Sequence, residues 1–431
     1  MKFAKAPQLV ALTGLLCAWA SLAYGGNAEN PVPFVPPIAP DPVLEWNATA
    51  AQIIVGPNGA NKPPPLGLID FAMVHTAIYD AVNSIDGFPF EEYAVHAAVV
   101  QPASSYAAAV QAAHDVLFTL YPSQASALDA ALATSLAYVD DGEAKINGSS
   151  VGSQVAAAIV ALRANDGRNN PSGLTTNGGV GVWVPTPPGF LPAQAPWVRF
   201  VTPFTLNSPS QFRAEPTPTL DSETWIRDYN ETKALGASAG STRTAEQTDI
   251  GEFWGDQPML QWNRAWRGIS IASGLSLSEN ARYFAMLTTA GSDSLIACWD
   301  SKYTYAFWRP VTAIRVGGGN PVLGADPNWL SLVVTPPHPE YPAAHGCFSG
   351  AVVYTLRDYF GTDDFAFTID SNVPGVVQKV RSYTSFSAAL DEVKDARVYG
   401  GMHYRNSCDK GAIIGKQVSH FMSHHYFRPR R

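Results

Sequence analysis

The chain has 431 residues, of which 46% are hydrophobic and 15% are charged. This composition supports a large buried core, so it excludes an intrinsically disordered chain, and the length excludes a small disulfide-stapled scaffold. The net charge is −8, with 28 basic and 36 acidic residues and no long basic run, which argues against nucleic acid as a partner. Any anion that the protein binds must therefore be held by a local cluster of cationic side chains.

Residues 1–25 have the pattern of an export signal peptide. Lys2 and Lys5 precede an apolar run at 9–22, and small residues follow it. No later apolar run reaches the ~18 residues that a membrane span needs. The sequence therefore predicts a secreted or periplasmic protein that does not span the membrane. A homo-oligomer is compatible with these properties.

The N-terminal half has a helical pattern. Apolar residues recur at spacings of three and four over 66–85 and again over 104–121, where Pro122 ends the pattern. Two alanine-rich segments follow, at 125–139 and 151–164. We therefore predict a helical region after the signal peptide, extending to residue 170.

Residues 171–220 are rich in proline, glycine and aromatic residues, a composition that resists helix formation. We predict that they form a long irregular segment over the surface of the core, called the wrap below. The strongest β-branched run elsewhere, at 332–335, is too short to build a sheet. The predicted fold class is all-α, with helical bundles and an irregular, proline-rich wrap.

Helices are expected to resume after the wrap. Asp221 or Ser222 can cap the first of them, and Thr244 with Gln247 has the spacing of a capping box. Residues 221–431 carry the clusters of chemically active side chains described next, so we predict that this part is the catalytic region.

The first cluster contains two cations. Lys302 and Arg309 are seven residues apart, or two helical turns, so both are expected to project from one face of a helix that Pro310 begins to disrupt. The segment between them is strongly aromatic, unlike a solvent-facing helix end. Since buried cations need an anionic partner, the pattern favours an anion site over a solvated helix end.

The second cluster is the segment His-Pro-Glu-Tyr-Pro-Ala-Ala-His-Gly at 338–346, which precedes an apolar helical run. Pro339 and Pro342 prevent a regular helix before His345, so His345 is expected at or near a helix N-terminus. Free N–H groups and the helix dipole favour an anion there, and a histidine can exchange a proton near neutral pH. A capping or core role for His345 is the alternative.

The third cluster contains Arg397, Gly401 and His403. Gly400 and Gly401 remove side-chain bulk next to the cation and the histidine. Either a ligand or another helix can therefore approach the backbone closely at this point.

Taken in order, the three clusters resemble the signature of the vanadium-dependent haloperoxidases and the type 2 phosphatidic acid phosphatases: Lys302-x6-Arg309-Pro310, Pro342-x2-His345 and Arg397-x3-Gly401-x-His403. The stretch Phe307-Trp308-Arg309-Pro310 is especially similar to the haloperoxidase branch. The resemblance implies an all-helical fold in which an anion is held between helices of bundles.

The resemblance also implies a vanadate cofactor, in a site that phosphate can share. Lys302, Arg309 and Arg397 would hold the equatorial oxygens through charge-assisted hydrogen bonds. The backbone at Ala344 and Gly401 would complete the binding site.

Two histidines receive chemical roles from the resemblance. His403 would be the axial vanadium ligand, which requires a neutral ring. His345 would be the distal acid–base group that accepts a proton from hydrogen peroxide. Vanadium would stay pentavalent and act as a Lewis acid on peroxide, which oxidises a halide that then halogenates a small organic substrate.

The sequence departs from the family pattern at two positions. Ala343 and Ala344 stand where the family usually has Ser-Gly, so a hydroxyl donor is missing. Ser407 stands where the phosphatases carry an aspartate that orients the nucleophilic histidine, and Asp409 is two positions out of register. Both departures leave alternatives to the haloperoxidase hypothesis.

Three alternatives remain open. The first is a soluble, exported acid phosphatase, in which His403 attacks phosphorus and His345 protonates the leaving group. The second is a non-catalytic relative that binds an anion. The third is a zinc site built from His338, His345, His403 and the cysteines, which the nearby cations disfavour.

Three cysteines follow the signal peptide, an odd number in an oxidising compartment: Cys298, Cys347 and Cys408. Cys347 is two residues after His345, and Cys408 is five after His403. If the two histidines face one pocket, these cysteines come within bridging reach. We therefore predict a Cys347–Cys408 disulfide, with Cys298 free.

His338 bears on the choice of halide. Seven residues before the distal histidine, algal bromoperoxidases carry a histidine and fungal chloroperoxidases a phenylalanine, and this chain has His338. A hydrogen bond from its ring near the distal side would alter the proton supply at His345. The resemblance therefore predicts a preference for bromide or iodide over chloride. The alternative is that His338 only caps the turn made with Pro339.

Overall fold

The computed structural model describes residues 40–168 and 170–430, so the signal peptide predicted at 1–25 lies outside the described residues. The described chain is mostly helical, with thirteen α-helices and one two-stranded antiparallel sheet. The predicted all-α class is therefore confirmed. None of the described helices is both long and apolar enough to cross a membrane.

The helices and strands have the following bounds: α1 Pro42–Ile54, α2 Pro64–Ile85, α3 Ser105–Leu120, α4 Ala125–Leu136, α5 Glu143–Leu162, α6 Glu223–Leu235, α7 Ala245–Phe253, α8 Pro258–Ser273, α9 Leu277–Tyr305, α10 Pro310–Arg315, α11 Ala344–Phe360, β1 Asp364–Asp370, β2 Val380–Ser385, α12 Phe386–Tyr399 and α13 Arg405–His425.

Helix α2 lies at the centre of the N-terminal half, packed against α3, α5 and α9. It is buried on all sides from Gly67 to Ser84, which explains its near-continuous apolar sequence. Helix α5 begins eight residues before the segment expected at 151–164. The early part of α5 is poor in apolar residues because a glycine makes the contact with the neighbouring backbone there. A Cβ at Gly148 would lie 2.3 Å from the Ser104 carbonyl oxygen.

Helices α11 and α13 form the closest helix pair of the C-terminal half. A Cβ at Gly415 would lie 2.3 Å from the Ala351 nitrogen and 2.4 Å from the Cys347 carbonyl oxygen, so only glycine permits this approach. The close contact brings the N-terminus of α11 next to the loop that precedes α13. His345 and His403 occupy these two places.

The wrap contains one short 3₁₀ turn, Pro196–Phe200, and no longer regular element among its described residues. A buried carboxylate of α9 holds it in place. Asp293 accepts hydrogen bonds from the Phe204 N–H at 2.6 Å and from both the N–H and the hydroxyl of Thr205 at 2.7 and 2.6 Å. The wrap therefore follows a fixed path across α9.

The sequence did not indicate the hairpin formed by β1 and β2. The run at 332–335, which carried the strongest strand signal, is irregular. Charged and polar residues are interspersed in both strands because one face is exposed, as the alternating burial of β2 shows. Ser222 caps α6, and Thr244 with Gln247 forms the expected capping box on α7.

Candidate active site

Lys302 and Arg309 do not share a helix, so the expectation that both project from one helix face is wrong. Helix α9 ends at Tyr305, where Ala306 takes a left-handed conformation with φ of 45°. Arg309 is the N-cap residue of α10. The two side chains nevertheless meet at one loop, where Lys302 contacts the Pro339 carbonyl and Arg309 contacts the His338 carbonyl.

Both cations are fully buried and hold the loop that precedes α11. The Lys302 ammonium donates to the carbonyl oxygens of Pro339 at 2.8 Å and Glu340 at 3.0 Å. The Arg309 Nε donates to the His338 carbonyl oxygen at 2.9 Å. Arg309 also reaches the loop before α13, where Nη1 donates to the Met402 carbonyl oxygen at 2.9 Å.

The His403 ring is held from both sides. Its Nδ1 lies 2.8 Å from Glu340 Oε1, an oxygen that also accepts the Tyr404 N–H at 3.1 Å. Its Nε2 lies 3.1 Å from Arg309 Nη1, which can only donate. The proton of a neutral His403 therefore sits on Nδ1, and Nε2 presents its lone pair.

His345 is the second residue of α11, as expected for a histidine at a helix N-terminus. Its Nε2 is buried and has no hydrogen-bond partner in the part of the chain that the structure describes. Burial, followed by the positive charges of Arg397, Lys302 and Arg309, holds the pKa of His345 well below its usual range. The ring is therefore neutral, and a neutral imidazole has one unprotonated nitrogen. The first residue of the same helix, Ala344, has a backbone N–H with no partner inside the helix.

A cavity of about 160 Å³ joins these groups. Arg397, His345 and His403 line it, and so do Ala344 and His338. Its walls on the other sides come mainly from apolar residues: Pro64, Pro65, Pro258, Leu295, Trp299, Pro336 and Phe348. Lys302 and Arg309 are not among the lining residues. They lie behind the lining and hold the loop before α11.

Arg397 is 2% exposed and has spare donor capacity. Its Nη1 donates to the Trp254 carbonyl oxygen at 2.6 Å, and its Nη2 lies 3.0 Å from the Met402 sulfur. Its Nε has no partner. Since a thioether is a weak acceptor, Arg397 can still bind an oxyanion.

Positive charge dominates the buried site. No carboxylate forms a salt bridge with Lys302, Arg309 or Arg397 among the described residues. Burial lowers the pKa of Lys302 to about 8 and the pKa values of both arginines to about 10. Burial raises the pKa of the one nearby carboxyl, Glu340, to about 7, against the opposing effect of Lys302 and Arg309. Three cations therefore face at most one negative charge, an arrangement that favours a bound anion.

His338 lines the same cavity but contacts Arg309. Its Nδ1 lies 3.0 Å from Arg309 Nη2, which donates to it. Its ring packs against Trp299 with the centroids 5.0 Å apart. His338, from which the halide preference was predicted, is therefore hydrogen-bonded to Arg309, one of the three buried cations.

Of the two approaches left open at Gly401, the close contact with another backbone is observed: Gly401 has φ of 74°, and a Cβ there would lie 2.3 Å from the carbonyl oxygen of Gly236, the C-cap residue of α6. One expectation about the cysteines is wrong. The expected Cys347–Cys408 disulfide is absent, since Cys298, Cys347 and Cys408 are all free and buried. The Cys347 side chain instead contacts that of Cys298 across the α9–α11 contact.

The described residues contain no group of three His, Cys, Asp or Glu side chains that could hold a metal ion. The zinc alternative therefore lacks a ligand set in this part of the chain. The three histidines of the site are separated by cationic side chains, which disfavour a divalent cation.

The sequence reasoning missed two residues, Glu340 and Gln194. The sequence did carry a signal for Glu340, which is a carboxylate between two prolines in an otherwise apolar segment. An acid in such a segment is buried only when it has a partner. Gln194 of the wrap lines the cavity. No local signal distinguished it from the other polar residues of the wrap.

Comparisons with known proteins show which proteins this chain resembles. Residues 282–430 match the model of the VCPO second helical-bundle domain. The vanadium chloroperoxidase of Curvularia inaequalis is 26% identical over 204 residues, which are 40% of this chain and 33% of that protein. The match thus spans one third of the length of this relative.

Two solved structures have the same fold. A structure described as the first bacterial vanadium-dependent iodoperoxidase gives a TM-score of 0.77 at 24% identity, covering 91% of this chain and 97% of that chain. A holo-type bacterial vanadium-dependent chloroperoxidase gives 0.68 at 20% identity, covering 88% and 96%. Residues 282–430 are therefore similar to the VCPO second helical-bundle domain, and the resemblance to vanadium haloperoxidases predicted from the sequence is confirmed.

Proposed function

We propose that this protein is a vanadate-dependent haloperoxidase, which oxidises halide with hydrogen peroxide and so halogenates small organic molecules. One observation carries the proposal: Arg397 and the neutral His345 and His403 line one cavity, and the buried cations Lys302 and Arg309 lie behind its lining. Among the described residues, Glu340 is the carboxyl group near them. The relatives named above are vanadium haloperoxidases, which supports the same chemistry here.

The donor set fits vanadate. Among the described residues, Arg397 Nε is buried without a partner, and no carboxylate forms a salt bridge with Lys302 or Arg309. His403 Nε2 carries a lone pair that accepts a hydrogen bond from Arg309 Nη1 in this structure, and a neutral imidazole nitrogen is a suitable metal ligand. Under this proposal Lys302, Arg309 and Arg397 hold the anionic oxygens, and His403 is the metal ligand.

Each residue of the site has a task in the proposed reaction. When bound, vanadate supplies a pentavalent Lewis acid that activates peroxide. Glu340 keeps the proton on His403 Nδ1, so that Nε2 stays a ligand. His345 accepts a proton from hydrogen peroxide at its unpartnered Nε2. The apolar walls limit water, which strengthens the electrostatic interactions of the cations.

The direct test combines elemental analysis with two assays. Protein dialysed against vanadate is expected to retain one vanadium per chain and to consume peroxide only when halide is present. A His403→Ala variant is expected to lose both properties. Retention of vanadium without halide oxidation would support the non-catalytic alternative.

The proposal includes a preference for bromide or iodide over chloride. It rests on His338, whose bond to Arg309 puts a polar ring on the cavity wall. Monochlorodimedone halogenation with bromide and with chloride tests it in the native chain and in His338→Phe. Equal turnover of chloride and bromide by the native protein would contradict the preference.

Glu340 favours a second candidate function, phosphate-ester hydrolysis. The phosphatases orient their nucleophilic histidine with an aspartate, and Ser407 occupies that position here. Glu340 supplies a carboxylate to His403 Nδ1 from another part of the chain. A phosphate-ester assay on vanadate-free protein tests this candidate, and hydrolysis lost in His403→Ala would support it.

We also propose that the protein is exported, which rests on the charged and apolar pattern of residues 1–25. N-terminal sequencing of protein from the periplasm or medium tests this. Recovery of the uncleaved chain in the cytoplasm only would contradict it. A homo-oligomer remains a prediction, which size-exclusion chromatography with light scattering tests.

A further inference from the structure

Of the described residues that line the cavity, Gln194 alone comes from the wrap. Its backbone is fixed by three hydrogen bonds. Its N–H donates to the Pro337 carbonyl oxygen at 2.7 Å. Its carbonyl oxygen accepts from Trp299 Nε1 at 3.3 Å and from the Tyr303 hydroxyl at 2.5 Å. Helix α9 and the loop before α11 therefore fix the backbone position of Gln194. The same helix and loop hold the cationic side chains Lys302 and Arg309 in place.

The wall near Gln194 has few polar groups. Trp299 lines the cavity, but its indole N–H already donates to the Gln194 carbonyl oxygen. The other wall residues are proline, leucine and phenylalanine, which have no side-chain donor. Apart from Arg397, the three histidines and the engaged indole of Trp299, Gln194 is the described lining residue that has a polar side chain.

A halide that enters this cavity must replace its water with other donors, because a bare ion is unstable against apolar walls. The cationic side chains are engaged with the oxyanion under the proposed function. A carboxamide has two N–H donors and no charge, so it can solvate a halide without drawing the oxyanion out of its place. A few polar groups on an apolar wall commonly set the specificity of such a cavity.

We propose that the side-chain amide of Gln194 donates a hydrogen bond to the halide ion, so that this residue of the wrap sets halide affinity. The inference rests on the proposed haloperoxidase function. It assigns the wrap a part in substrate binding in addition to its packing role.

Two substitutions separate the hydrogen bond from the shape of the side chain. Gln194→Leu keeps a similar volume without a donor, and Gln194→Glu adds a negative charge that repels halide. Gln154→Leu, on the exposed face of α5, is the matched control. Because one hydrogen bond to the ion is lost, the KM for bromide is expected to rise about tenfold in Gln194→Leu and further in Gln194→Glu.

The KM for hydrogen peroxide and the vanadate affinity are expected to change by less than about twofold, because Gln194 contacts neither under the proposal. A structural role would alter the three quantities together or lower the stability. Unchanged bromide KM in Gln194→Leu would overturn the proposal, and so would an equal rise in the peroxide KM.

Crystals of the vanadate-loaded protein soaked in bromide provide a test that does not depend on turnover. Anomalous scattering is expected to locate bromide within hydrogen-bond distance of the Gln194 amide nitrogen, and Gln194→Leu is expected to remove that peak. Absence of bromide from this position in the native protein would overturn the assignment. If the native protein binds bromide there but oxidises no halide, the proposed function fails while the halide site stands.

Discussion

Glu340 Oε1 and His403 Nδ1 lie 2.8 Å apart although the residues are 63 positions apart in the chain. The contact determines which nitrogen of the ring is free to act as a ligand. A carboxylate at Nδ1 also makes the opposite nitrogen a better donor to a metal.

Replacement of Glu340 by Gln is therefore expected to weaken vanadate binding by about 10- to 100-fold, the range typical for the partner of a metal-binding histidine. Equilibrium dialysis with vanadium analysis measures the affinity. Nitrogen NMR of the labelled histidines reports whether the proton stays on Nδ1. Glu340→Asp, which keeps the charge on a shorter side chain, is expected to lie between the native protein and Glu340→Gln.

Substitution of Arg397 tests the cationic group without disturbing the loop before α11. Arg397→Ala removes charge-assisted hydrogen bonds worth about 1.5–3 kcal/mol, so vanadate affinity is expected to fall by about 10- to 100-fold. Arg397→Lys keeps the charge but not the planar donor pair, and an intermediate loss is expected. Arg428→Ala at the surface is the control. Native affinity in Arg397→Ala would remove this residue from the site.

The thiols give a prediction that is independent of activity. Cys298, Cys347 and Cys408 are free, so alkylation of the denatured, unreduced protein is expected to label all three. Peptide mass spectrometry reads the labels directly. A peptide pair that joins Cys347 to Cys408 would show that the α11–α13 contact differs from the one described.

His75 predicts a loss of stability in acid. Burial, followed by the charge of Arg267, lowers the pKa of His75 to about 3, and Asn47 contacts its Nε2 at 3.0 Å. The folded state holds the neutral ring, so this contribution is complete above the unfolded pKa of ~6.5 and is lost as the pH falls towards 3. The free energy of unfolding is therefore expected to fall by about 1.4 kcal/mol per pH unit from this group.

Urea unfolding at several pH values between 7 and 4 measures that slope. His75→Gln removes the group and is expected to show a correspondingly smaller slope. His96→Gln is the matched control, because the His96 side chain is 61% exposed. Equal slopes in the native protein and His75→Gln would contradict the assignment of a neutral, buried His75.

The sequence predicted the helices and the residue types of the site better than their arrangement. Periodicity located α2 and α3, and Pro342 correctly indicated that a helix begins close to His345. These features depend on neighbours along the chain. The prediction that Lys302 and Arg309 share a helix face was wrong because the left-handed Ala306 ends α9. Alanine gives no sequence signal for that conformation.

Contacts between distant segments were the least predictable. Gly401 meets the backbone of Gly236, and Glu340 meets His403, through packing that no local pattern specifies. The cysteine pairing failed for the same reason, since Cys347 is directed by the rotation of α11 towards α9. A motif can name the residues of a site, whereas the helix packing decides which atoms face one another.

Under the proposed function, the buried cations and His403 form a vanadate site that supports halide oxidation. The rate of bromide-dependent peroxide consumption, measured as vanadate is added to vanadate-free protein, tests this. We expect no activity at the start and a saturable rise that ends at one vanadate per chain, with no rise in His403→Ala. Full activity before vanadate is added, or none at saturation, would contradict it.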